Sequence, residues 1–210
     1  MLINYFKIAW RNLYKHKVFS FINIFGLAIG MAVTILIALW VQDELSYNNY
    51  FENQPKIAQV YQTLTYNGEK TTLNAIPRPL ETELRNYYND WFEHIVMASW
   101  STYNYLEYGD HKISVSGNFM QEGVIEMLGL KIVSGSKNGL EDLNSIMLSV
   151  SSAKAIFGNT EAVGKIIKLN SQFDLTVTAV YEDIPANNDF HDLQYVAPWK
   201  FFVNSQNWIK

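Results

Sequence analysis

From Phe19 to Val41 the chain runs for 23 residues without a charged side chain, and this stretch constrains the fold more than any other. As a helix rising about 1.5 Å per residue it spans about 35 Å, against a bilayer hydrocarbon core of about 30 Å. Lys15, His16 and Lys17 precede it, and Gln42, Asp43 and Glu44 follow it. A cleaved export signal would have an apolar stretch of roughly 7–15 residues and a small-x-small cleavage site. Ala38-Leu39-Trp40 and the residues after it make a poor site. A retained transmembrane helix over 19–41 is therefore expected.

Charge orients that helix. Lys7, Arg11, Lys15 and Lys17 precede Val18 with no acidic residue among them. All 20 acidic residues lie at or beyond Asp43 with the other 12 basic ones, an excess of eight negative charges. The positive-inside rule then holds the amino terminus in the cytoplasm and sends Asp43 onward to the outside. The acidic outer part would repel phosphate, which excludes nucleic acid as its partner. Cysteine is absent, so a disulfide framework and a thiol nucleophile are excluded.

The segment 1–18 reads as an amphipathic helix on the cytoplasmic face. Leu2, Ile3, Phe6, Ala9, Trp10 and Leu13 fall on one side of a helical wheel. Asn4, Lys7, Arg11 and Lys15 fall on the other, with Ile8 the exception. Such a helix lies in the lipid interface, with Phe6 and Trp10 in the acyl boundary and Lys7 and Arg11 at the headgroups. Within the apolar run, Gly26, Gly30, Thr34 and Ala38 put a small residue at every fourth position. That spacing makes a groove into which another membrane helix can pack closely.

Residues 45–210 read as a mixed α+β domain. Expected hairpins turn at Asn67-Gly68, Gly109-Asp110 and Asn170-Ser171, flanked by strands at 57–66 and 69–74, 95–108 and 111–116, and 165–169 and 173–181. Further strands are expected near 130–133, 146–149 and 193–197. Pro77 and Pro79 open a helix, a loop or helix covers 119–128, Ser151 caps a helix ending at Gly158, and Pro198 starts another. The chain stops at Lys210 without a convincing terminus and reads as truncated.

The motifs that suggest chemistry are weak. Gly158 to Lys165 superficially resembles a phosphate-binding loop, but five residues separate its glycines and Ile166 follows the lysine. Ser151-Ser-Ala-Lys154 fits S-x-x-K without the partner motifs of penicillin-interacting enzymes. Glu182, Asp183, Asp189, His191 and Asp192 match no metal-ligand spacing and read as a solvated loop. No catalytic, metal-binding or cofactor-binding residue is expected.

The run Asn4-Tyr-Phe-Lys-Ile-Ala-Trp-Arg-Asn-Leu13, with Phe19 to Gly30 and Val41 to Tyr47, resembles the start of MacB/FtsX-like ABC transporter permeases. Ile146 to Gly158, Val163-Gly-Lys165 and Val177 to Pro185 resemble the periplasmic core domain of that family, although Ala179 stands where the pattern has glycine. The resemblance implies a permease subunit without ATPase motifs. It would work as a dimer with a second permease subunit and with an ABC ATPase that carries the ATP and magnesium. A periplasmic adaptor is a further implied partner, and export or mechanotransmission the implied activity. Additional membrane helices and the segment that meets the ATPase would lie beyond Lys210. A single-pass sensor or ligand-binding protein is the alternative, and a membrane-tethered hydrolase using Ser151 and His191 comes third.

Overall fold

The computed structural model describes residues 2–205; the side chain of Leu2, read above on the apolar face, and the chain's end at Lys210 lie outside what it describes. The chain divides into two compact units, residues 1–47 and 48–210.

The first unit holds two helices, α1 (Leu2–Lys15) and α2 (Lys17–Leu45), broken at His16. The helix α2 is longer than the apolar run at both ends, because backbone hydrogen bonding continues through Gln42, Asp43 and Glu44. No residue of α2 is buried, although its composition is apolar on every side. A helix of that kind is normally either a core helix or a membrane span. Among the described residues it is the one helix long and apolar enough to cross a membrane.

The second unit is built on strands β1 (Gln62–Tyr66), β2 (Glu69–Leu73), β3 (Thr102–Tyr108), β4 (His111–Met120), β5 (Ile132–Gly135), β6 (Ser145–Ser149), β7 (Ile166–Leu169), β8 (Phe173–Tyr181) and β9 (Tyr195–Pro198). Four helices join them: α3 (Pro79–Tyr88), α4 (Val124–Leu128), α5 (Val150–Phe157) and α6 (Trp199–Ser205). The order β8-β6-β9-β4-β3-β7, with β7 pairing back onto β8, closes a β-barrel, and β5 adds to the free end of β8. The pairs β6–β8 and β4–β9 are parallel, and the other barrel pairs are antiparallel. Closure removes the exposed edges that an open sheet of these strands would carry.

Two apolar clusters share the barrel wall. Ile146, Leu148, Tyr195 and Ala197 face one cluster, together with Ile156 of α5 and Phe201 of α6. Met147 and Val196 face the other, with Val124 and Leu128 of α4 and Phe51. The strands β6 and β9 are buried on both faces, which explains why Ile146-Met-Leu148 and Tyr195-Val-Ala197 are continuously apolar instead of alternating.

Several expected boundaries shift. The strand β1 begins at Gln62, after a 3-10 turn at Gln54–Lys56, and β3 begins at Thr102. The segment before β3 makes only an isolated bridge, Ala98 to Met120. The strand β4 runs on to Met120, so α4 covers only the end of the 119–128 segment. The cap of α5 is Ser149, whose Oγ accepts from Ser152 N at 3.2 Å. Ser151, expected in that role, is already inside the helix. The Asn67-Gly68 turn does form as expected, with both residues at positive φ, as a two-residue hairpin turn requires.

Candidate functional site

The side chains expected to anchor α1 are exposed: Phe6 and Trp10 on one side, Lys7 and Arg11 on the other. On α2, Gly26, Gly30, Thr34 and Ala38 recur at one-turn spacing along one helix. A Cβ placed on either glycine meets nothing within 4 Å, so the groove is open. Thr34 donates its Oγ1 hydrogen to Gly30 O at 2.9 Å, which satisfies the hydroxyl within the helix.

In the second unit the most unusual feature is a lobe without a core. Between Phe51 and Met97 no residue is buried, across β1, β2 and α3 alike. Both hairpin strands are almost wholly exposed, and a two-stranded hairpin alone is marginal in water. Trp91 is 83% exposed and Tyr87 75% exposed, with Tyr66, Tyr88 and Phe92 also open to solvent.

The lobe meets the barrel across a cleft. On its α3 wall Glu81 forms an ion pair with Arg85, whose guanidinium also donates to Ile95 O. On the barrel wall Lys200 of α6 pairs with Glu122 at 2.7 Å. Gln121 joins the two walls: its Oε1 accepts from Met97 N at 2.9 Å and its Nε2 reaches Glu81 Oε1 at 3.4 Å. Trp199 stands at the rim, its indole 5.4 Å from the ring of Phe202, which stacks on Phe119 at 5.0 Å. Two adjoining hollows of about 330 Å³ and 1030 Å³ share Glu81, Gln121, Trp199 and Lys200 as lining. None of these residues was singled out in the sequence. The i, i+4 spacing of Glu81 and Arg85 behind Pro79 was the one signal available for them.

The acidic stretch 182–192 is a set of ties and not a freely solvated loop. Asp183 accepts from Ser151 N and Oγ, and Asp192 accepts from Ser116 Oγ at 2.9 Å. Asn48 donates to Asp189 at 2.7 Å, and Tyr50 donates to Glu182 at 3.3 Å. Burial, then the Glu182 carboxylate, holds the Tyr50 phenol above its ordinary value. Ser151 is thus engaged by Asp183, while His191 Nδ1 contacts Asn188 O at 2.8 Å. The structure gives these two residues separate partners. The false phosphate loop leads into strand β7, with Gly164 N bonded to Val177 O at 2.8 Å, and no helix follows to receive a phosphate.

The chain is 22% identical to the periplasmic region of MacB from Actinobacillus actinomycetemcomitans, covering 59% of this chain and 55% of that one, with a TM-score of 0.46. It is 18% identical to the extracellular domain of the ABC-type transporter YknZ from Gram-positive bacteria, covering 62% of this chain and 66% of that one, with a TM-score of 0.49. The chain therefore spans between about half and two thirds of the length of these structures. No curated protein matches it. The family described as the MacB-like periplasmic core domain matches residues 20–209, from the apolar helix through the barrel to α6, and the chain belongs to that family.

Proposed function

We propose that this chain serves in an ABC transporter permease subunit, which relays ATP-driven motion to a periplasmic domain for export or mechanotransmission. The observation that carries this reading is the pairing, in one polypeptide, of a membrane-length helix with a domain of this family. In this reading α1 lies in the cytoplasmic interface through Phe6, Trp10, Lys7 and Arg11. The helix α2 crosses the inner membrane, and residues 45–210 stand in the periplasm. Gly26, Gly30, Thr34 and Ala38 pack against a membrane helix of the permease dimer. ATP and magnesium belong to the partner ATPase, and the lobe at 52–96 offers aromatic surface to a periplasmic adaptor.

The absence of native cysteine makes the orientation directly testable. In intact cells, a membrane-impermeant maleimide applied after outer-membrane permeabilisation is expected to label Lys70→Cys and to spare Lys7→Cys. The reverse pattern overturns the topology. Replacing Gly26 and Gly30 together by leucine is expected to abolish α2-to-α2 crosslinking while the melting of the outer domain stays unchanged. A single membrane-length helix also suits a single-pass sensor. Co-purification of the full-length gene product with an ABC ATPase favours the permease, and its co-purification with a kinase instead favours the sensor.

A further inference from the structure

We propose that the cleft between α3 and the β4–α6 rim binds a neutral saccharide. The inference rests on the outer domain alone and does not depend on the transporter reading. Three cations (Arg78, Arg85 and Lys200) and three carboxylates (Glu81, Glu83 and Glu122) line the two hollows, so the cleft carries no net charge. An anion would meet the carboxylates and a cation would meet the basic groups. Two of the pairs, Glu81–Arg85 and Glu122–Lys200, already neutralise each other. They therefore present hydrogen-bonding atoms without a field that selects charge.

Glu81 is the fixed point. Its side chain is only 16% exposed, and it receives Arg85 and Gln121 on the same oxygen. The Glu81 carboxylate, whose other oxygen lies 3.5 Å from Thr82 Oγ1, and the Arg85 guanidinium supply the planar acceptor and donor chemistry with which vicinal hydroxyls pair. The second requirement of a sugar is a flat apolar surface for the axial C–H face of its ring. Trp199, which lines both hollows, supplies it, with its indole tilted against Phe202, which in turn stacks on Phe119. The smaller hollow, about 330 Å³, lies within the size range of small-molecule sites, and the larger, about 1030 Å³, stands at its upper edge.

Calorimetric titration of the detergent-solubilised chain with triacetylchitotriose tests the proposal. Binding is expected, weakened about tenfold by Trp199→Ala and restored to within about threefold by Trp199→Phe, which keeps an aromatic face. Glu81→Gln, which keeps the shape and loses the charge-assisted acceptor, is expected to weaken binding by about tenfold. Tyr103→Ala, on the outer face of the barrel, is expected to leave it unchanged. No heat from the trisaccharide, or binding indifferent to both Trp199→Ala and Glu81→Gln, overturns the proposal. So does a Trp199-dependent preference for acetyl-trialanine amide over the sugar, which assigns the cleft to a peptide.

Discussion

Asp183 accepts two hydrogen bonds from one residue, Ser151, at 3.1 Å from its backbone N–H and 2.7 Å from its hydroxyl. A carboxylate just after β8 thereby satisfies an orphan donor in the first turn of α5, where negative charge is also favoured by the helix dipole. Ser149 satisfies another from within the chain leading into the helix. The β8–β9 connection and α5, distant in sequence, are fastened at this point.

Asp183→Ala should therefore cost about 1–2 kcal/mol of stability, since it removes both acceptors from a helix start. Ser151→Ala should cost less, because the backbone N–H keeps its partner. Urea denaturation of the two variants, followed by far-UV circular dichroism, measures the difference. Equal midpoints would mean the carboxylate contributes nothing beyond the hydroxyl contact.

Gly117→Ala should destabilise the second unit by about 2–4 kcal/mol. The glycine pairs with Tyr195 across the parallel β4–β9 ladder, and a Cβ there would collide with both the ring and the carbonyl oxygen of Tyr195. Neither is the free end of a flexible side chain. Gly26→Ala, in open space, should leave the same denaturation curve unchanged.

Amides of β1 and β2 should exchange with deuterium at least about a hundredfold faster than those of β6 and β9. The hairpin has hydrogen bonds but no apolar layer beneath it, whereas β6 and β9 are buried on both faces. A partner that covers the lobe should slow the hairpin amides and leave β6 and β9 as they were. Uniform protection in the isolated protein would mean the lobe carries stability of its own.

Alkaline pH should unfold the second unit before it affects an average globular protein. Burial pushes the phenol of Tyr181 well above its ordinary value of 10, and burial also raises that of Tyr195. Below about pH 10 both phenols are neutral in the folded and the unfolded chain, and no pH-dependent term arises. Above it the unfolded chain is stabilised by ionising while the folded chain resists, so stability falls as pH rises. Urea midpoints at about pH 8 and pH 11 should differ, and Tyr181→Phe should reduce that difference. The same variant should cost about 1 kcal/mol at neutral pH, because Tyr181 donates to Leu193 O inside the core.

The chain order of its elements was legible wherever local chemistry decides. Asn67-Gly68 prescribes a tight turn by backbone sterics alone, and the apolar stretch from Phe19 onward prescribes a helix long enough for a bilayer by length alone. The blocks around Ile146 and Val177, which carry the family resemblance, each hold a strand with buried apolar residues.

What only the tertiary structure decided depends on residues far apart in the chain. The closing of β7 onto β8, and the parallel pairing of β4 with β9, follow from no local pattern, since a strand's sequence states which faces are apolar but not which strand lies beside it. The same reason hid the cleft. Glu81, Gln121 and Trp199 are individually ordinary surface residues, and they form a site only because the lobe and the barrel rim bring them together. The acidic stretch after β8 was read as solvated because its partners, Ser151, Ser116 and Asn48, arrive from three other parts of the fold. Local covalent and steric rules write the elements, and long-range burial and hydrogen bonding choose their neighbours.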